Sequence, residues 1–303
     1  MAIHVRPDIA EALRTGTPVV ALESTIITHG LPRPRNLGIA RDAEELLRNQ
    51  GVVPATVGVV QGRVTVGLTE AELEHLASDD AAVKCSIRDL PMAVANRHSG
   101  GTTVAATAML AHRAGIRVFP TGGLGGVHRG ANESYDESAD LIALSQVPIV
   151  MVSAGVKSIL DIGATLERLE TFNVGVVGYG TDRFPGFYIA DSGYALDHRA
   201  DTPEAVAAIA RARDDLGLSS AIVVANPVAA EHQLDADLHD RVLAEALAAA
   251  DALGVRGHDT TPFLLGYFHT ATAGASEVTN VHIYLGNVAL GGRIAAALAS
   301  PVT

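Results

Sequence analysis

A single cysteine, Cys85, rules out an internal disulfide among the 303 residues, and a reducing cytoplasm is the compartment such a chain fits. No run of about twenty consecutive apolar residues is present, so no membrane-spanning helix is expected. The opening stretch MAIHVRPDIAEALRTGTP places Asp8 and Glu11 where a secretory leader needs an apolar core. Positive charge is scarce: 22 Lys and Arg against 34 Asp and Glu leave a net charge of −12. That balance argues against a nucleic acid polymer or an anionic membrane as principal partner, though a local site for a small anion remains compatible. The 12 histidines show neither H-x-x-x-H nor H-E-x-x-H spacing, which excludes the usual zinc hydrolases. A G-x-S-x-G elbow and a P-loop are absent too.

Lysine is the scarcest charge. Of the 22 basic residues, only Lys84 and Lys157 are lysine; the remainder are arginine. Where a generic positive charge is written as arginine, a retained lysine points to chemistry that arginine cannot do. Arginine stays protonated, whereas a desolvated lysine can lose its proton and attack a carbonyl.

What is present reads as α/β. With 48% hydrophobic residues the chain can bury a large core. Strand-like runs at Pro18–Glu23, Ala55–Val60, Arg117–Pro120, Pro148–Val152, Val174–Val177 and Ala221–Ala225 alternate with helical patterns. Several strands are continuous Val/Ile/Ala runs, as expected where both faces are buried. Helices fit Asn36–Asn49, Thr102–Ala114, Ser158–Thr171, Pro203–Leu216, Asp235–Leu253 and roughly Val288–Ala299. Thr69 with Glu72 forms a capping-box pattern, and Thr202-Pro203 an N-cap followed by proline. Without a Ser/Pro-rich hinge or an internal repeat, residues 1–303 are expected to form one domain. Gly178–Tyr194 reads as an ordered loop, with a small flap around Asp182–His198.

Lys157 lies in PIVMVSAGVKSILD, between an apolar strand and an expected helix start, where apolar neighbours would desolvate its amine. The alternative is an ordinary surface lysine, which a helix N-terminus disfavours. Lys84, in VKCSIRDLP near a strand end, suits phosphate or carboxylate binding, or a salt bridge. Glu23 ends a buried strand and would face a cleft, where burial raises a carboxyl pKa toward general-acid use; a structural acid bonded to loop amides is the competing role. Ser99–Thr107 puts glycines and hydroxyls at a helix start, and Thr121–Gly130 is rich in glycine after a strand; both can gather amides around an anion. In Asn132–Asp140, the spacing of Asp136 and Asp140 sets both carboxylates on one helical face, able to meet a hydrated cation or sugar hydroxyls.

In order along the chain, ALESTIITHGLPRPRN, KCSIRDLP, GTTVAAT, TGGLGGVHRGA, YDESADL, SAGVKSILDIG, VVGYGTDRFPGFY, VANP and TPFLL resemble the pseudouridine-5'-phosphate glycosidase family, from Val19 to about Leu298. The resemblance implies a single-domain α/β/α layered fold with a mostly buried central sheet, and a homotrimer. It implies that Lys157 forms an imine or glycosyl adduct at ribose C1' and that Glu23 carries protons. It places Lys84, Val104, Ser138, Ala139 and Asp140 around ribose 5-phosphate, with Thr103, Thr121 and His128 in the same pocket and Asn280 near the nucleobase. Asp136 would hold a divalent ion, manganese by family habit or else magnesium, largely through water. The chain departs from the family near its C-terminus, where Gly257-His258 replaces Gly-Lys and Gly286-Asn287 replaces paired asparagines. Ser86-Ile87 also replaces a more polar pair. These departures lead to the expectation of a C-glycosynthase joining ribose 5-phosphate to a non-uracil aromatic aglycone. Cleavage of pseudouridine 5'-phosphate is the alternative, and a silent sugar-phosphate-binding protein is the rival from another class.

Overall fold

The computed structural model describes residues 3–255 and 260–300. Among the described residues, eleven strands form one sheet: β1 (His4–Val5), β2 (Val19–Leu22), β3 (Val53–Val60), β4 (Arg63–Val66), β5 (Val83–Cys85), β6 (Gly100–Thr102), β7 (Val118–Pro120), β8 (Val150–Ser153), β9 (Gly175–Tyr179), β10 (Arg199–Ala200) and β11 (Ile222–Ala225). The order is β1-β4-β3-β2-β7-β8-β11-β9-β10, with β5 and β6 branching from β3. The central path from β3 to β10 is parallel throughout. Between the described strands, β3 pairs antiparallel with β4 and with β6.

The helices are α1 (Pro7–Thr15), α2 (Arg35–Asn49), α3 (Glu70–Ser78), α4 (Leu90–Ala95), α5 (Val104–Ala114) and α6 (Ala131–Ser134). They continue as α7 (Ala139–Leu144), α8 (Ile162–Thr171), α9 (Pro203–Asp215), α10 (Ala236–Ala252), α11 (Thr260–Ala271) and α12 (Ala275–Ala299). Alternate residues of each central strand enter separate cores. Val150 and Val152 pack with α2, α9 and α12, whereas Met151 packs with α5, α8, α10 and α11. This double burial is why the strands read as unbroken apolar runs, and it makes the α/β/α layering that the family resemblance implies.

Local signals did their work where side chains decide. Thr69 and Glu72 close a capping box on α3, with the Thr69 amide donating to Glu72 Oε2 at 2.8 Å. Thr202 caps α9 by accepting from the Ala205 amide at 3.2 Å.

Four expectations need correction. The helix expected from Thr102 starts at Val104, because Gly100 and Gly101 pair as β6 instead. A Cβ on Gly100 would lie 2.6 Å from Cys85 Sγ, so glycine permits this close strand approach. The helix expected from Ser158 starts at Ile162, capped by Asp161, so Lys157 sits in a loop and not at a helix N-terminus. The final helix begins thirteen residues earlier than Val288, at Ala275. Asp136 and Asp140 do not share a helix: Tyr135 adopts φ 55°, ends α6, and leaves Asp136 in the turn before α7.

The segment expected as a small flap, Asp182–His198, packs down through Phe184, Phe187 and Tyr188, which are buried in the core. Among the described residues α12 alone is long and apolar enough to cross a membrane, with mean hydropathy 1.2. Its apolar face packs on α2, α9, β7 and β8, which makes it a core helix.

Candidate active site

The carboxyl ends of neighbouring parallel strands gather the chemistry, as expected for an open α/β sheet. Val20 pairs with Val118 and Pro120 with Val152. Continued past the strand ends, that register sets Glu23, Thr121 and Ser153 side by side. The Thr121 hydroxyl donates a hydrogen bond to Glu23 Oε1. Glu23 is 8% exposed, and burial raises its pKa. The Thr121 hydrogen bond and the positive charges of Lys157 and Lys84 oppose that rise, while Asp140 adds to it. Both lysines therefore lie close enough to bias the protonation of Glu23.

Lys157 is placed by a zipper of two loops. Beyond the strands, Gly122–Leu124 and Ala154–Lys157 continue the parallel pairing of β7 and β8, and an antiparallel bridge then joins Val127 to Asp161. Ala154 N donates to Gly122 O at 2.9 Å, Leu124 N to Gly155 O at 3.0 Å, and Lys157 N to Leu124 O at 3.2 Å. Gly155, at φ 80°, tucks under Pro185 O and Phe184, where a Cβ would meet the carbonyl at 2.4 Å. Only glycine allows that approach. Lys157 is partly buried between buried Val156 and Ser158.

Lys84 lies in the middle of β5 with its side chain exposed as a whole. Desolvation at the cleft is nonetheless the leading influence lowering its pKa, helped by Lys157 and opposed by Asp140 and Glu23. His128 is shifted down by desolvation and by both lysines, while the Asp136 carboxylate, 3.9 Å from its Nδ1, pulls the other way. His29, hydrogen-bonded through Nδ1 to Thr28 Oγ1 at 2.7 Å, is lowered by burial and by Lys84. It belongs to a single π-type turn, Ile26–Gly30, a backbone form frequent at functional sites.

Asp140 takes a role that its sequence neighbourhood did not suggest. Its Oδ1 accepts from the Ala105 amide and its Oδ2 from the Gly125 amide, both at 2.9 Å. Both segments expected to cradle an external anion thus give an amide to this internal one. A Cβ on Gly125 would lie 2.3 Å from Ser138 Oγ and 2.8 Å from Asp140 Oδ2, so the glycine serves this docking. Ser138 caps α7 through the Asp140 amide at 3.2 Å, and Ala139 next to it is exposed. Thr103 caps α5 by accepting from Ala106 N, and Val104 behind it is buried.

Asn280, on α12, faces the glycine-rich loop, its Oδ1 3.3 Å from the place of a Gly122 Cβ. Phe187, at φ 65°, approaches the same loop, 2.7 Å from a Gly123 Cβ position. Asn287 and Asn226 also reach this region, and neither was singled out from the residues. The VANP segment and the altered asparagine pair were the signals that held them.

Asp136 is a half-buried carboxylate, and among the described residues no group of three His, Cys, Asp or Glu gathers in a metal-holding arrangement. One hard oxygen donor suits a largely hydrated Mn²⁺ or Mg²⁺ and could not strip such an ion of water.

The model of the indigoidine synthase A-like family matches residues 8–297. The chain belongs to that family. Members similar to it include a pseudouridine-5'-phosphate glycosidase from Saccharopolyspora erythraea, 63% identical over 97% of each chain. Another, from Clostridium botulinum, is 45% identical over 97% of this chain and 96% of its own. Among solved structures of the family's fold, the prealnumycin C-glycosynthase AlnA in complex with ribulose 5-phosphate superposes with a TM-score of 0.92. It is 35% identical, and the match covers 99% of this chain and 97% of that one. An indigoidine synthase A-like protein from Thermotoga maritima gives 0.90 at 36% identity, covering 99% and 97%.

Proposed function

We propose that this chain is a C-glycosidic lyase and synthase of ribose 5-phosphate, and that its substrate is pseudouridine 5'-phosphate. The observation that carries the reading is a buried carboxylic acid, Glu23, with raised pKa, in electrostatic reach of a lysine held on the adjoining strand-end loop. A carbon leaving group has no basic oxygen to protonate, so the paired-carboxylate route of O-glycosidases does not apply. An amine nucleophile divides the problem into two easier steps.

In cleavage, Glu23 protonates O4' as the C1'–O4' bond breaks and the ribose ring opens, and Lys157 Nζ bonds to C1' as its proton passes back to the Glu23 carboxylate. The C1'–C5 bond then breaks, its electron pair goes to uracil C5, and Glu23 supplies the proton placed there. Water hydrolyses the resulting imine, releasing ribose 5-phosphate and restoring the lysine. Synthesis is the reverse. Lys84 supplies positive charge for the sugar phosphate, with His128 and Thr103 near the same ligand. Asp136 would hold a hydrated Mn²⁺ or Mg²⁺, whose charge would offset that of the phosphate. Homotrimeric assembly is part of the same reading, and light scattering checks it.

The departures that favoured another aglycone carry less weight in three dimensions. Gly286 is exposed, with nothing within 4 Å of where its Cβ would be, and Asn287 retains the buried position of the pair. Ser86 caps a short turn with Asp89, whose Oδ2 accepts from the Ser86 amide at 2.9 Å. Gly257-His258 lies outside the described residues. A second reading, coupling of ribose 5-phosphate to a non-uracil aromatic carbon, draws on the likeness to AlnA.

Incubation with pseudouridine 5'-phosphate and Mn²⁺, with uracil and ribose 5-phosphate measured, separates the two. Rapid uracil release supports the glycosidase. Borohydride trapping of ribose 5-phosphate on Lys157 without uracil turnover would transfer support to the synthase. Full turnover by Lys157→Ala would end both.

A further inference from the structure

We propose that Asn287 is a positioning residue for the proton carrier, acting through Thr121 to fix where the Glu23 carboxyl lies. The inference rests on the role given to Glu23 above. Asn287 lies on α12, 1% exposed, and its amide is fully engaged. Its Nδ2 donates to Thr121 O at 2.7 Å and to Gly122 O at 3.1 Å, and its Oδ1 accepts from Asn226 Nδ2 at 2.8 Å. With both sides of the amide occupied, its orientation is determined.

The site of these bonds gives them their significance. Thr121 N still belongs to the β7–β8 ladder, donating to Val152 O at 2.9 Å. Its carbonyl leaves that ladder and is met by Asn287. The peptide following Thr121 is therefore clamped from α12, and the rotation of Thr121 follows from the clamp. The Thr121 hydroxyl then points at Glu23 Oε1. A donated hydrogen bond favours the charged carboxylate against the desolvation that opposes it, so the clamp holds the acid in place and tunes its proton affinity. Asn226, just after β11, steadies the far end of the amide. Thr121 thus spends its hydroxyl on the acid.

The test combines two readouts on the intact protein: difference infrared titration of the Glu23 carboxyl without ligand, using Glu23→Gln as reference, and the pH profile of kcat/KM with pseudouridine 5'-phosphate. Thr121→Val is expected to move the Glu23 titration upward, and Thr121→Ser to restore it. Asn287→Ala is expected to move it in the same direction, and to lower kcat about tenfold, equivalent to about 1.4 kcal/mol, with KM within about twofold. Coincident titrations of Asn287→Ala and wild type would overturn the proposal and leave Asn287 a packing residue. If Asn287→Ala does not fold, Asn226→Ala removes only the Oδ1 donor; an upward shift there supports the clamp and an unmoved titration overturns it. Failure of the wild type to release uracil would strike the substrate assignment alone, because the ligand-free titration still decides the clamp.

Discussion

Replacing Asp140 should destabilise the protein before it affects sugar binding. Its two carboxylate oxygens accept the Ala105 and Gly125 amides, each at 2.9 Å, in a position only 6% exposed. Asp140→Ala orphans both donors at once. An unsatisfied buried amide costs about 1–3 kcal/mol, so the loss should total about 2–6 kcal/mol. Asp140→Asn retains one acceptor and turns an amide against the other donor, and its loss should be about half as large. Equilibrium unfolding in urea, followed by circular dichroism, measures both, provided the slope m stays constant across the variants. If Asp140 served the sugar alone, Asp140→Ala would fall within the ~0.5 kcal/mol scatter of neutral substitutions. A wild-type midpoint combined with a raised KM would refute the internal-anion argument.

Other expectations follow from the same geometry. Glu23 has a raised folded-state pKa, so its contribution to stability is complete below the ordinary carboxylate range and is lost as pH rises through the folded value. Glu23→Gln should therefore be more stable than wild type at neutral pH and lose that advantage in acid, as thermal melts across pH would show, while turnover disappears. Gly125→Ala should cost about 1–3 kcal/mol or more, because its Cβ meets Ser138 and Asp140 at under 3 Å; a melting temperature equal to wild type would contradict the close docking. Gly286→Asn, which restores the family's paired asparagines, should change stability by less than about 0.5 kcal/mol and leave the preferred aglycone unchanged, since the position opens to solvent. A switch in acceptor in product assays would show that this departure matters. Asp136→Ala should raise the Mn²⁺ concentration needed for half-maximal turnover and leave borohydride trapping at Lys157 intact; an unchanged Mn²⁺ response would remove Asp136 from metal binding.

Much of the architecture was legible because burial leaves a pattern. Strands sandwiched between two cores must be apolar on both faces, and β2, β8 and β11 say so in their Val/Ile/Ala runs. Helix caps are equally local, which is why Thr69 and Thr202 could be read directly. The first half of α12 could not. Its residues SEVTNVHIYLG combine β-branched, polar and glycine positions of modest helix propensity, and packing on α2, α9 and β7 overrides that weakness. Gly291 illustrates the reason: its missing side chain lets α12 lie on Pro120, where a Cβ would sit 3.0 Å from the ring.

The candidate site divides in the same way. The scarcity of lysine brought Lys157 and Lys84 forward, and the strand-end position brought forward Glu23, since chemical type and chain position are properties of a sequence. The partners of those groups are not. That Asp140 receives amides from segments 35 and 15 residues away, or that Asn287 reaches back 166 residues to Thr121, depends on long-range packing. The sequence by itself determined which side chains are candidates for the chemistry and that one of them, Glu23, follows a buried strand. Only the tertiary structure decided which polar groups are spent holding one another, because a buried hydrogen bond is chosen by proximity in space, and proximity between distant residues is not encoded in any local pattern.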